Sequence, residues 1–547
     1  MTKIPFINTY AKLSDNFFSN TAPTPVKEPK LFKFNDELAT ELGIAEISDV
    51  DAADYFSGNK LLEGSEPISM AYSGHQFGHF SPQLGDGRAV LLGEVKNIEG
   101  IGKDIQLKGS GPTPWSRNGD GRSALGPVIR EYLVSEAMHK LGVPTTRALA
   151  AVTTGEQVVR DRLVAGGILT RVATGFVRVG TFDYFSSQGK IDDLKKLAAY
   201  VIGKHYPHAK SSKTKKVKNP YAELLNEVMK AQAQLIAKWM SLGFIHGVMN
   251  TDNMSISGET IDYGPCAFMD EFSHDRVFSA VDRQGRYAFN NQPQIGQWNL
   301  IRFAETLLPL FAESVTAEQG KPEEVVVMMA QEVLNEYEST YKHYWLNNMR
   351  QKVGLAPTEK QLSPKEIFEK SLMGNLDENA EEKSDQESTP VDTTADDIAR
   401  EKAHRINAND HALILRLLDI MQEQKADFTL TFYQLSKDVN NLETVREQFE
   451  DPKDFDIWAA KWQNRLTEED STKEQQQALM QSVNPVYIPR NHQVEAAIRA
   501  AEDNNDFSKF DELHKVLQKP FEVQDGMDEY MLAPKPEEVV KQTFCGT

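Results

Sequence analysis

The 547-residue chain is poor in cysteine, poor in positive charge and free of long apolar runs. Its two cysteines, Cys266 and Cys545, make neither the disulfide framework of a small secreted domain nor a cysteine-rich zinc site. With 60 Lys and Arg against 80 Asp and Glu, the formal net charge is -20. That excludes a general nucleic-acid binder, which needs a basic surface. A nucleotide is not excluded, because a few basic side chains in one cleft suffice. No apolar run reaches the length of a transmembrane helix. The N-terminal MTKIPFINTYAKL lacks both the apolar core of a signal peptide and the arginines of a mitochondrial presequence. The expectation is a cytoplasmic protein without membrane or nucleic-acid partners. Neither G-x-x-x-x-G-K-[ST] nor G-x-G-x-x-G occurs, so P-loop and Rossmann readings have no support.

What is present suits a globular protein of two to four domains: 40% hydrophobic and 26% charged residues. Residues 1–60 read as an N-terminal extension. Residues 61–187 are rich in Gly and short apolar runs. Ala89–Val95 and Ile105–Leu107 read as strands. A helix opening at Pro127 and closed by Gly142 carries the stripe Ile129, Leu133, Ala137 and Leu141. Residues 188–375 are mostly helical, with one long helix over 222–242 stopped by Gly243. Residues 376–400 read as an acidic flexible linker, and 401–547 as a polar helical region. Lys204, Lys210, Lys213, Lys215, Lys216 and Lys218 read as a solvated basic loop.

The chemistry concentrates after the long helix. His246-Gly-Val-Met-Asn-Thr-Asp-Asn253 is followed by Asp262-Tyr-Gly264. Laid over the protein-kinase signatures H-R-D-L-x-x-x-N and D-F-G, these frames keep the histidine, the asparagine and the second aspartate. The kinase's catalytic aspartate is replaced by Val248. Asn253 and Asp262 are the oxygen donors that magnesium takes beside phosphate. Asp252 is the one carboxylate in the loop able to replace the missing base. Lys108 ends a strand-like run, as the phosphate-pairing lysine of kinases does. Its partner is Glu131 or Glu136 on the next helix, and periodicity leaves the choice open. Gly85-Asp-Gly-Arg88, Gly109-Ser-Gly111 and Gly119-Asp-Gly-Arg122 are turns whose backbone can approach phosphate. Arg171 and Arg178 flank Thr174-Gly175. A hairpin turned there would aim both guanidinium groups at one cleft.

These segments together resemble the selenoprotein O family, the YdiU-type proteins of bacteria. The likeness covers Tyr72-Ser-Gly-His-Gln-Phe-Gly78, Gln83–Arg88, Gln106–Arg117, Gly119–Arg122, Ile129–Leu133, Pro144–Arg147, the loop at 246–264, Asn291–Asn299 and Asn484–Asn491. It implies an α+β, protein-kinase-like bilobal fold with a mixed N-lobe, a mostly helical C-lobe and a further helical region. It also implies a flipped ATP and transfer of AMP, rather than phosphate, to protein hydroxyls. On that resemblance Lys108 pairs with Glu131. Gly85, Gly87, Arg88, Asp120, Gly121, Arg171, Arg178 and Asp262 join Lys108 around the nucleotide. Asn253 and Asp262 hold Mg2+ or Mn2+, and Asp252 accepts the proton. UTP is a second nucleotide the resemblance allows. It further implies a Cys266–Cys545 disulfide acting as a redox switch, the alternative being a core thiol and a tail thiol. The competing functions are an atypical kinase using Asp252 and an inactive ATP-binding scaffold.

Overall fold

The computed structural model describes residues 4–44, 47–211, 219–316, 320–358 and 395–544, with backbone alone at 210–211 and 395–404. Cys545, Lys213–Lys218 and residues 376–394 of the expected linker lie outside the described residues. Residues 395–400 open a helix, Ala395–Glu423.

The fold is mixed, an antiparallel sheet followed by many helices. In chain order the first part holds β1 (Phe18–Asn20), β2 (Lys30–Phe34), α1 (Asp36–Glu41), α2 (Asp49–Ser57), β3 (Ile68–Met70), β4 (Gly74–Gln76), β5 (His79–Ser81), β6 (Ala89–Lys96), β7 (Gly102–Lys108), β8 (Ser123–Ala124), α3 (Leu125–Lys140), β9 (Arg147–Val159) and β10 (Leu163–Ala173). Seven strands run in the order β1-β3-β6-β7-β10-β9-β2, with β8 on β10, while β4 and β5 form a separate hairpin. Two sheet strands come from residues before 60, so the sheet crosses the expected boundary there.

The sheet is covered on both faces, which explains the nearly unbroken burial of β6 and of the first half of β9. Leu92, Ile105, Leu107, Ile168 and Val172 pack with Leu38, Tyr55 and Phe56 of α1 and α2. Ala148, Ala151 and Leu169 pack with Val128, Ile129, Tyr132 and Leu133 of α3. The other side of α3 is closed by the C-terminal helices Asn491–Asn504 and Ser508–Leu517, through Val494, Ile498, Phe510 and Leu513. α3 begins at Leu125, two residues before the expected start. Pro127 still lies in the first turn, where its missing N–H costs nothing.

The second part holds α4 (Val179–Ser187), α5 (Ile191–His205), α6 (Pro220–Leu242), α7 (Gln292–Phe311), α8 (Pro322–Leu334) and α9 (Tyr337–Lys352). The side chain of Asn219 accepts from the amides of Tyr221 and Ala222 to open α6, and left-handed Gly243, φ 70°, closes it. Lys204 corrects one expectation. It stands in the last turn of α5 with its side chain only 9% exposed, 2.6 Å from Asp104 and 3.2 Å from Glu94, and is no part of a solvated loop. Spacing could not show this, because the partners are a hundred residues away.

A fully buried lysine yields a stability prediction. Lys352 is 3% exposed, with its ammonium 4.4 Å from the Phe432 ring centre. Burial pulls its pKa down to about 7, with Lys238 adding to the effect. An unfolded lysine titrates near 10.4. Between those values the unfolded chain binds more protons, so this residue makes stability rise with pH. Urea unfolding of wild type and Lys352→Met from pH 7 to 10 should show the wild type gaining relative to the variant. A constant difference would refute the prediction.

Candidate active site

Segments far apart in sequence converge on Asp262. In β7, Ile105 and Leu107 face α1 and α2, so Gln106 and Lys108 take the opposite face. β10 pairs with β7 so that Arg171 stands opposite Gln106, and α3 lies over that side. Lys108 Nζ is 2.5 Å from Glu131 Oε2 and 3.2 Å from Asp262 Oδ1. Arg171 Nη1 donates to Glu131 Oε1 at 3.2 Å and to Asp262 Oδ1 at 2.8 Å. Arg178 Nη1 donates to Asp262 Oδ2 at 2.7 Å and to the Asp252 carbonyl at 2.6 Å. Glu136 is occupied elsewhere, in a two-point pair with Arg147 at 2.9 and 2.8 Å.

No hairpin forms at Thr174-Gly175. β10 ends at Ala173, a short loop follows, and Arg178 stands at the N-terminus of α4. The two arginines still converge, because a strand-to-helix turn redirects the chain as effectively as a hairpin. Glu259 fixes that turn by accepting from the Thr174 amide at 3.0 Å and its hydroxyl at 2.6 Å.

The cluster is largely buried and strongly charged. Arg171 and Arg178 side chains are 3% and 4% exposed, Asp262 20%. Burial pushes the Asp262 carboxyl up, but Arg178, Arg171 and Lys108 outweigh it and hold the group well below the usual carboxylate range. Asp262 is also left-handed, φ 63°, a backbone state that non-glycine residues adopt chiefly where surroundings impose it. The Nε atoms of Arg171 and Arg178 are buried without a partner.

The loop before it is braced from three sides. His246 Nε2 contacts the Ile261 carbonyl at 2.8 Å, and the Gln292 side chain of α7 accepts from the His246 amide at 3.0 Å. Asn253 Nδ2 donates to the Val248 carbonyl at 3.0 Å, which commits the amide nitrogen and leaves Oδ1 as the available donor to a cation. Asp252 is buried. Its Oδ1 has no partner, and Gln76 Nε2 reaches Oδ2 at 3.4 Å. Burial pushes the Asp252 carboxyl up to about 6, against the opposing pull of Arg178.

Among the described residues no group of three or more His, Cys, Asp or Glu forms a metal cage. One carboxylate and one amide oxygen nevertheless fit a magnesium-type ion that takes its other ligands from phosphate. Both Asp262 oxygens are engaged by cations, so a metal there requires those cations to turn toward phosphate.

Other anticipated residues lie around this centre in different ways. Gly85, φ 71°, packs so tightly on Trp115 that a β-carbon would stand 2.4 Å from the ring. Gly87 accepts from the Ser116 hydroxyl, and the Arg88 carbonyl accepts from the Gly109 amide at 2.7 Å. Asp120 does not join the Asp262 cluster. It is half-exposed and paired with Arg160 at 2.8 Å. Gly121, φ 65°, lies against the Gly111 backbone, where any side chain would collide.

A family model described as "Protein adenylyltransferase SelO" matches residues 1–518. The chain belongs to the SelO family. It is 49% identical to the "Protein nucleotidyltransferase YdiU" of Bradyrhizobium sp. (strain ORS 278), covering 99% of each chain. It is 49% identical to that of Rhizobium rhizogenes (strain K84 / ATCC BAA-868), covering 100% of this chain and 97% of the relative. It is 48% identical to that of Rhizobium meliloti (strain 1021), with full coverage of both.

This SelO-family chain holds further site groups that motif reasoning passed over. Asp86, between the two glycines, is buried and accepts from the Met70 amide at 3.1 Å and Gln106 Nε2 at 3.2 Å. Its other oxygen is 3.9 Å from Arg178. The Arg178 guanidinium also sits 4.7 Å over the Tyr72 ring. In the Gly85-Asp-Gly87 triplet the glycines signal a turn, while the burial of Asp86 depends on tertiary packing. Cys266 is buried, and its thiol is pushed up to about 12 by that burial. Thr543, whose hydroxyl bonds the Pro265 carbonyl at 2.6 Å, holds the tail beside it.

Proposed function

We propose that this chain transfers AMP from ATP, or UMP from UTP, to Ser, Thr or Tyr hydroxyls of proteins, releasing pyrophosphate. The observation that carries the reading is the Asp262 centre. Three cations converge on one carboxylate beside a loop with Val248 where a kinase keeps its base. The reading includes a kinase-like bilobal arrangement, with the sheet and α3 as one lobe and the helices from α4 onward as the other. The succession of lysine strand, glutamate helix, asparagine loop and aspartate turn supports it.

In this mechanism Lys108, Arg171 and Arg178 bind the triphosphate, and Glu131 orients Lys108. Gly85, Gly87, Arg88, Asp120 and Gly121 line the nucleotide. Asn253 and Asp262 hold Mg2+ or Mn2+, which would neutralise charge on the α-phosphate and the departing pyrophosphate. Asp252 takes the proton as the acceptor oxygen bonds to the α-phosphorus and the bond to the β-phosphate oxygen breaks. Once turned from Asp262 toward the phosphates, the arginines would stabilise the spreading negative charge. No helix among the described residues is long and apolar enough to cross a membrane, and the reading includes no membrane or nucleic-acid partner.

ATP labelled on the α-phosphate should mark acceptor protein, and ATP labelled on the γ-phosphate should not. Label arriving only from the γ position would make the chain an atypical kinase. Nucleotide-dependent thermal stabilisation without any transfer would make it a scaffold.

A further inference from the structure

The β4–β5 hairpin links the candidate catalytic loop to a partly exposed cationic and aromatic patch. At its first strand the fit to the loop is tight. A β-carbon on Gly74 would lie 2.2 Å from Asp252 Oδ1. The His75 amide donates to Thr251 Oγ1 at 2.8 Å, and the Phe77 amide donates to Asn250 Oδ1 at 3.0 Å. At the turn the hairpin meets Arg286. A β-carbon on Gly78 would lie 3.5 Å from the Arg286 guanidinium carbon and 3.6 Å from both terminal nitrogens.

Arg286 is held flat and without a carboxylate. Its guanidinium lies 4.8 Å over the Trp298 ring of α7 and 5.7 Å from the Tyr287 ring. Asp282, the nearest acid in sequence, spends its two oxygens on the backbone amides of Arg286 and Tyr287, at 2.9 and 2.8 Å. No ion pair joins the Arg286 side chain to a carboxylate among the described residues, and its Nε is buried without a partner. The second arginine on Trp298, Arg302, is neutralised by Glu305 at 2.7 Å. Phe80, 42% exposed, lies tilted against His75 at 4.9 Å, and His75 in turn stands edge-on to Trp298. A half-buried guanidinium with no carboxylate partner, beside exposed Phe80, stands out on a chain of net charge -20. It attracts what the rest of the surface repels.

Resting on the transferase reading above, we propose that Arg286 and its aromatic surround dock an extended segment of the protein substrate. The guanidinium pairs with an Asp or Glu three or four positions from the acceptor hydroxyl. The spacing follows from the hairpin. Gly74 marks Asp252, and Gly78, in the turn that follows β4, marks Arg286, so the span is under the roughly 13 Å of four extended residues. An extended substrate segment covers that distance in three or four residues. The preorganised planar fork suits a carboxylate.

The test is a positional peptide set, each member carrying one Ser, Thr or Tyr and Asp, Ala or Lys at successive distances on either side. Transfer of α-labelled AMP is measured with wild type, Arg286→Ala and Arg286→Glu. The wild type should favour Asp at three or four residues by about tenfold in kcat/KM, carried by KM, the effect of one charged hydrogen bond. Arg286→Ala should lose the preference, and Arg286→Glu should shift it to Lys at the same positions. A merely structural role would not reverse the charge preference. Transfer without acid preference, or a preference that survives in Arg286→Glu, overturns the docking inference alone. Label reaching the enzyme but no peptide also overturns it. No α-label transfer to anything overturns the transferase reading and this inference with it.

Discussion

Asp262→Ala should abolish nucleotidyl transfer and lower stability together. The carboxylate is contacted by Lys108, Arg171 and Arg178 at 3.2, 2.8 and 2.7 Å. Its removal leaves Lys108 and Arg171 sharing Glu131, and Arg178 with Asp86 at 3.9 Å. Breaking one side of a buried pair typically costs about 3–5 kcal/mol. Partial exposure of Asp262 places its loss toward the lower end. Its depressed carboxyl pKa fixes the sign with pH. The stabilisation is present above the ordinary Asp value near 3.9 and disappears as pH falls through the lower folded-state value. Transfer should fall by roughly a thousandfold or more, as when a principal transition-state electrostatic group is lost. Pyrophosphate should then raise the melting temperature of Asp262→Ala more than that of wild type, because the anion replaces the missing charge among the cations. Retained transfer would remove Asp262 from the site. Equal pyrophosphate stabilisation would mean that the three cations are not the phosphate-binding group.

This centre was legible in sequence where chemistry fixes side chains at short range. The loop at 246–253 and the Asp262-Tyr-Gly264 turn carry their pattern within twenty residues, so the asparagine, both aspartates and the absent base at Val248 could be read directly. Lys108 was legible because a strand's two-residue period separates it from Leu107. What escaped depends on tertiary contact. Glu131 and Glu136 lie on one helix, and periodicity cannot tell which meets Lys108. The answer depends on Arg147 claiming Glu136 from the neighbouring strand. Arg171 and Arg178 were expected to converge through a hairpin and do so through a strand-to-helix turn, because Thr174-Gly175 is compatible with both. Lys204 reads as solvated beside other lysines, yet its ammonium is paired with Asp104 and Glu94. Asp86 was hidden between glycines whose own role drew attention. The C-terminal helices gave no sign that they would pack on α3, behind Glu131.

Asp252→Asn should reduce transfer by about a hundredfold to ten-thousandfold, the usual contribution of a positioned general base. It should also remove the acidic limb of the pH profile. The carboxyl is pushed up to about 6 by burial. Only its ionised form can accept a proton, so wild-type transfer should rise as pH climbs through that region and then level off. The amide has nearly the same shape and can still receive Gln76 at Oδ1, so the variant separates proton transfer from packing. Gly74→Ala is the complementary change, because its methyl group would collide with Asp252 Oδ1 while every ionisable group remains. If Asp252 acts as the base, Gly74→Ala should slow transfer but keep a pH limb, whereas Asp252→Asn should lose it. An unchanged acidic limb in Asp252→Asn would assign the titration to another group. Full activity in that variant would leave the proton to water, with the charge of the Asp262 centre supplying the catalysis.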